Sequence, residues 1–241
     1  MNDQQPKPVF LTAEWRKLLM ANYAIDPAIL KPLIPYKTEL DRWNNTCYVS
    51  LVGFMFLNTR LKGFAIPGHQ HFEEVNLRFY VRYRDGDTWK RGVVFIKEIV
   101  PKPALTFVAN TIYGEPYETM TMRHLWEREG SDLHVRYAWY KKRWHAFQAT
   151  ADAQAQALVS GSEPEFITEH YWGYTYRGPS RTSEYAVEHP RWDIYPVKKY
   201  QVDVQFGQVY GDRFAALTQL TPASVFLAEG SPIIVRGGRM V

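Results

Sequence analysis

Residues 72–81 read Phe72-Glu73-Glu74-Val75-Asn76-Leu77-Arg78-Phe79-Tyr80-Val81. Apolar β-branched and aromatic residues alternate there with polar ones, the period of a strand and not of a helix. On such a strand Val75, Leu77, Phe79 and Val81 line one face, while Glu74, Asn76, Arg78 and Tyr80 line the other. Two readings of the polar face stand side by side. It is the wet side of a half-buried sheet, or it looks into a barrel lumen or cleft where an acid, an amide and a guanidinium in a row orient a polar ligand.

Outward from this segment, strand patterns continue. An Asp85-Gly86 turn signal separates the run Phe72 to Arg84 from Arg91 to Val100, and Cys47 to Asn58 precedes both, which predicts an antiparallel meander. Upstream, Asp26 before Pro27 marks a helix start with Ile29, Leu30 and Leu33 on one side, ending before Pro35. Pro103 to Gly114 is apolar at helical spacing through Leu105, Val108, Ala109 and Ile112, which predicts a helix laid against the sheet and stopped by Gly114. Tyr117 to Glu127 and Leu133 to Phe147 flank the turn Glu129-Gly130-Ser131 and read as a hairpin, whereas Ala149 to Gly161 fits neither period. Five further strand candidates follow, at Tyr171 to Tyr176, Glu184 to His189, Val197 to Phe206, Ala223 to Ala228 and Pro232 to Arg236.

No linker interrupts the 241 residues, so one domain over 1–241 is expected, with 1–9 as a poorly ordered N-terminal tail. Hydrophobic residues at 46%, with 15% aromatic, supply enough apolar area for a large core without staples. A single cysteine, Cys47, excludes an intrachain disulfide and a cysteine-rich zinc cluster, which suits a reducing, cytoplasmic compartment. There is no signal-peptide pattern and no run of about 18 apolar residues, so no membrane partner is expected. The 29 basic and 25 acidic residues are interspersed, so a net charge of +4 gives only a modest field and no nucleic-acid partner is expected. Tyr140 to His145 (YKKRWH) mixes cations with aromatics as a single-strand binder does, and equally as an exposed strand edge does. Repeats and phosphate-binding glycine loops are absent, and no cofactor is expected.

Two motifs carry chemistry of their own. Gly68-His69-Gln70-His71-Phe72-Glu73-Glu74 brings two imidazoles close to two carboxylates and is similar to the cupin metal pattern. The carboxylate follows too soon, no later strand supplies a fourth ligand, and Pro67-Gly68 puts His69 and His71 on a loop, so no metal is expected. Lys97-Glu98-Ile99-Val100-Pro101-Lys102-Pro103-Ala104 lies at a strand end entering a helix. A lysine there, desolvated or beside another cation, could attack a carbonyl, or it is an exposed charge at an element boundary.

FLTAEWR (10–16), YVSLVGF (48–54), FEEVNLRFYV (72–81), GVVFIKEIVPKP (92–103) and EHPRW (188–192) together resemble the YqjF-like family of uncharacterised bacterial proteins. That family is grouped with the acetoacetate decarboxylase-like fold. The resemblance implies an α+β, mainly antiparallel β architecture: a strongly curved sheet closing towards a barrel around a cavity, with a few helices packed outside. The decarboxylase relatives use a Schiff-base lysine helped by a second lysine, an arginine and a glutamate. The resemblance therefore marks Lys102, Glu74 and Arg16 as catalytic candidates, and Asn76, Arg78 and His189 as ligand-binding ones. Pro103 stands where the second lysine would be, and the interval from Glu98 to Pro101 is shorter than in the decarboxylases. Two classes of function follow: a protein that binds a small oxo or carboxylic acid without turnover, and a lyase of the decarboxylase type. The partner in both is a small molecule, and a homo-oligomer is left open.

Overall fold

The computed structural model, which describes residues 7–241, arranges the strands in two mostly antiparallel sheets. The larger sheet begins with β1 (Val9–Ala24), β2 (Thr38–Leu40), β3 (Tyr48–Leu61), β4 (Phe72–Asp85), β5 (Thr88–Val100) and β6 (Tyr117–Thr119). The chain then leaves it for a second sheet through β7 (Met122–Glu129), β8 (Asp132–Lys141) and β9 (Arg143–Asp152). It returns with β10 (Trp172–Gly178), β11 (Arg181–Glu188) and β12 (Ile194–Tyr195), adds β13 (Val197–Asp203) to the second sheet, and ends in the first with β14 (Ser224–Arg236) and β15 (Arg239–Met240).

In the larger sheet β14, β1, β3, β4, β5, β10 and β11 follow one another, and β11 pairs back onto β14, so seven strands close a ring. The ring is uneven. β1 is paired along most of its length with β3 and β14, whereas β5 meets β10 only at Gly92 with Trp172 and Val93 with Gly173. The closing seam is as short, Val187 with Val235 and Glu188 with Ile234. Bulges supply the curvature, because an extra residue bends a strand and increases its twist. An extra residue lies in β1 between Arg16 and Leu19, where Lys17 takes φ 54°, and in β5 between Phe95 and Lys97, opposite Leu77 and Arg78.

Every long strand of the wall buries both faces. Leu19, Ala21, Val75, Leu77, Phe79 and Val81 face outward and pack against Val135, Tyr137, Trp139 and Phe147 of the second sheet. Leu18, Met20, Val52, Phe54, Tyr80 and Val93 face into the ring, where Phe166 and Ile167 of helix α3 (Glu163–Thr168 by chain position) plug it. The earlier helices are α1 (Pro27–Leu30), capped by Asp26 Oδ1 on the Ala28 amide at 2.8 Å, and α2 (Pro103–Val108). A short α4 (Phe206–Tyr210) covers the outer core. No helix among the described residues is long and apolar enough to cross a membrane.

Several sequence expectations are corrected. Leu133 to Phe147 is two strands, since Lys142 turns the chain at φ 60° between β8 and β9. Tyr117 to Glu127 divides between the two sheets as β6 and β7. Val197 to Phe206 stays extended only to Asp203, and Phe206 opens α4. Ala223 to Ala228 and Pro232 to Arg236 join as β14, with Gly230 at φ 81° bridging them. The helix from Pro103 changes to a π turn over 109–113, and of the expected apolar stripe Leu105 packs inward while Val108 and Ile112 are exposed. Of the expected tail, residues 1–6 lie outside the described residues, and Val9 already belongs to β1.

Gly230 faces the β1 bulge so closely that a Cβ there would lie 2.0 Å from the Trp15 carbonyl oxygen. Gly230→Ala adds this clash to the strain of a left-handed alanine and is expected to destabilise the protein by more than about 1 kcal/mol. Urea unfolding at neutral pH measures it, and wild-type stability in the variant would contradict this account of the bulge.

Candidate functional site

Strand alternation puts Glu74, Asn76 and Arg78 on the inner face of β4, and all three are buried inside the ring. Asn76 Nδ2 donates to Glu74 Oε1 at 2.9 Å, and the Tyr117 hydroxyl donates to Glu74 Oε2 at 3.2 Å. Pairing of β5 with β4 sets Glu98 opposite Asn76, and parallel pairing of β6 with β5 sets Tyr117 beside Glu98. Glu115, just before β6, accepts from Thr175 Oγ1 of β10 at 2.5 Å and is also hydrogen-bonded by Tyr185 of β11. Tyr185 can tuck in here because it pairs with Gly173, where a Cβ would lie 2.1 Å from its ring. Four strands and the loop before β6 thus bring three carboxyl groups and two phenols to one place.

Burial governs their charge. Desolvation pushes Glu74 up to about 7, against the hydrogen bonds from Asn76 and Tyr117 and the attraction of Arg78. Glu115 also rises to about 7 through desolvation, partly offset by Thr175 and Tyr185. Glu98 is raised well above the ordinary carboxylate range, first by desolvation and then by Glu74 and Glu115, and its Oε2 is buried without a hydrogen-bond partner. Desolvation, with the nearby carboxylates, likewise raises both phenols well above their ordinary value. At neutral pH the cluster is therefore a set of partly protonated acids sharing protons.

Arg78 acts on Glu74 from the inner face of β4, and Arg177 acts on Glu115. The Arg78 Nε is buried without a hydrogen-bond partner, and among the described residues no carboxylate reaches ion-pair distance of its guanidinium. Its nearest aromatic contact is the Tyr80 ring, 5.8 Å from Cζ. An Nε shut off from water without a partner is an acceptor-seeking group.

The other residues singled out from the sequence lie elsewhere. The bulge at Lys17 inverts alternation in β1, so Arg16 points out of the ring, with Nε 2.9 Å from Glu14 Oε2 and Glu229 at 3.7 Å. Lys102 occupies the N-cap position of α2 without a side-chain cap bond and acts on Glu73, the outward neighbour of Glu74; Glu73 Oε1 is bonded to His124 at 2.7 Å. No lysine is among the groups that shift Glu74, Glu98 or Glu115. His189 stacks on Trp192 with centroids 4.1 Å apart and donates from Nδ1 to the Pro190 carbonyl at 2.9 Å; burial holds its pKa down at about 4. It lines, with Tyr171, Trp172 and Tyr185, a cleft of about 510 Å³ beside the β11–β14 seam. His69 and His71 sit in the loop before β4, bonded to the Pro67 carbonyl and the Asn58 amide, and among the described residues no group of three or more His, Cys, Asp or Glu is gathered to hold a metal. Sequence reasoning missed Glu98, Glu115, Tyr117 and Tyr185. One signal was present: Glu98 stands two residues before Val100 in an apolar run, an acid on a buried face.

A model of the family described as an uncharacterized conserved protein, DUF2071, matches residues 12–232. The chain belongs to the DUF2071 family. Within the same kinship, the uncharacterized protein YqjF of Bacillus subtilis (strain 168) is 34% identical over 159 residues, covering 66% of this chain and 62% of YqjF. The match thus spans less than two thirds of that relative's length. Among solved structures, acetoacetate decarboxylase from Legionella pneumophila superposes with a TM-score of 0.65 at 13% identity, over 100% of this chain and 91% of that one. The enduracididine biosynthesis enzyme MppR complexed with pyruvate gives 0.65 at 13% identity, over 98% and 91%. An acetoacetate decarboxylase-like enzyme from Sphingomonas wittichii RW1 gives 0.65 at 12%, over 96% and 93%. This DUF2071 chain therefore has the acetoacetate decarboxylase-like fold, and at such identities the likeness speaks of fold alone.

The raised carboxyls have a consequence for stability. A glutamate at about 7 in the folded protein and near 4.5 unfolded holds its proton more tightly when folded, so its contribution is present below about pH 4.5 and lost as pH rises through 7. Glu74→Gln removes one such group and is expected to gain stability on wild type at pH 8 relative to pH 5. Urea midpoints at the two pH values test this; an equal difference at both would show that Glu74 is not strained when ionised.

Proposed function

We propose that this protein binds a small organic acid inside the ring, with Arg78 receiving the carboxylate and Asn76, Glu74 and Glu98 meeting the rest of the ligand. The observation that carries this reading is Arg78 on the inner face of the ring, whose Nε is buried and lacks a hydrogen-bond partner. A carboxylate forms two parallel charge-assisted bonds with a guanidinium and removes that deficit. Partly protonated Glu74 and Glu115 and protonated Glu98 tolerate an anion beside them, and can donate a hydrogen bond to an oxo group. The pyruvate complex of the MppR enzyme, on a similar fold, makes an oxo acid the first ligand to try. His189, on the cleft side and kept neutral by burial with the charge of Arg78 adding to it, would stand near the path inward. We further treat residues 1–241 as one domain, since the same strands build both cores, and place it in a reducing cytoplasm on the strength of its single buried Cys47.

Decarboxylation through an imine is the second reading, favoured by the fold of the enzymes above. It needs a lysine among the glutamates, and Lys102 stands instead by Glu73. Borohydride treatment with pyruvate is expected to leave the protein mass unchanged; an adduct at Lys102 would make the imine reading the better one.

Calorimetric titration with pyruvate is expected to give saturable binding that Arg78→Met weakens by at least tenfold, about 1.4 kcal/mol. Affinity should fall as pH rises from 6 to 8, because ionisation of Glu74 and Glu115 near 7 places like charge beside the anion. Binding unchanged in Arg78→Met would overturn the assignment.

A further inference from the structure

His170 follows α3 and is buried inside the ring against Tyr80 and Phe166, with ring centroids 4.7 and 5.0 Å away. Its Nε2 lies 3.1 Å from Asp41 Oδ2. Asp41 also accepts from Arg91 Nε at 2.6 Å, and the bonds from His170 and Arg91 hold its carboxyl below the ordinary range, so it is ionised and can only accept. Nε2 must therefore carry the proton and donate it. Burial, reinforced by Arg91 and Arg78, keeps the imidazole neutral, and a neutral ring protonated at Nε2 has a bare lone pair on Nδ1. That Nδ1 is buried and has no hydrogen-bond partner.

The Tyr80 ring that packs on His170 is the ring that also lies against the Arg78 guanidinium. An orphan acceptor and an orphan cationic donor thus flank one aromatic side chain on the inner face of the ring. Their needs differ: Arg78 requires an anion, and Nδ1 requires an O–H or N–H. One small molecule satisfies both if it carries a carboxylate and a hydroxyl, and neither a plain alkanoate nor an oxo acid does.

Resting on the Arg78 reading above, we infer that the Asp41–His170 pair is a second recognition point of the same site and that the preferred ligand class is a small hydroxy acid, its carboxylate on Arg78 and its hydroxyl donating to His170 Nδ1. Asp41 and Arg91 are positioning residues in this scheme, since they set the tautomer without touching the ligand.

Calorimetry with lactate and propionate, which differ by the hydroxyl alone, tests it. Wild type is expected to prefer lactate by about tenfold, the upper range for one added hydrogen bond. His170→Phe keeps the packing on Tyr80 and Phe166, and should bring the two acids within twofold of each other while leaving propionate affinity unchanged. Nitrogen-15 spectra of the wild-type histidine rings need no variant: the His170 Nδ1 resonance should be that of a bare nitrogen and should move on adding lactate but not propionate. Equal affinity for the two acids, or a protonated Nδ1, overturns this inference and leaves the Arg78 reading standing. Binding of neither acid overturns both.

Discussion

Strands β1, β3, β4 and β5 carry apolar side chains on both faces, and neither face can be left to water at roughly 25 cal/mol for each Å² exposed. Two layers of covering are therefore obligatory. The outer face is met by the four-stranded sheet, with Tyr137 packed so tightly over Gly53 that a Cβ there would lie 2.7 Å from its ring. The inner face is met by curling the sheet until it meets itself, with Phe166 and Ile167 filling the remaining space. Curling needs bends, and the bulges at Lys17 of β1 and at Ile96 of β5 supply them.

The same closure explains where polar groups survive. Leu18, Met20, Val52 and Phe54 make one part of the ring interior dry, while Glu74, Glu98, Glu115, Tyr117 and Tyr185 concentrate polarity near the β5–β10 junction. Low dielectric there makes each unsatisfied lone pair and each uncompensated charge costly, so the acids retain protons and share hydrogen bonds. Several buried atoms stay without a partner all the same, among them Asn76 Oδ1, Glu98 Oε2, Arg78 Nε and His170 Nδ1. The proposed ligand would fill two of these deficits, those of Arg78 and His170.

Strength is distributed unequally around the ring. The β14–β1–β3–β4–β5 wall has long, continuous ladders, but β5 to β10 and β11 to β14 are each joined at two residue pairs. The 510 Å³ cleft lies by the weaker seam, and Tyr185 and His189 line it while also belonging to the electrostatic surroundings of Glu115 and Arg78. Opening of short ladders is easier than opening of long ones, so exchange with solvent is best served on this side.

Period-two alternation over 72–81 by itself determined that Glu74, Asn76 and Arg78 share a face, because successive side chains of any strand point to opposite sides. The Asp85-Gly86 hairpin, the Asp26-Pro27 helix start and the Gly114 stop were legible for the same reason: each depends on the conformational preferences of adjacent residues. Arg16 was not, since a bulge at Lys17 turns the alternation over and no local pattern announces it. Lys102 stands at the N-cap of α2 and acts on Glu73, which alternation turns to the face opposite Glu74. The partnership of Glu98, Glu115, Tyr117 and Tyr185, and the orphan nitrogen of His170, were decided only by the tertiary structure. Those residues come from β5, β6, β11 and the loops around them, and they meet because a curved sheet closes on itself, bringing together positions that nothing in their local sequence relates.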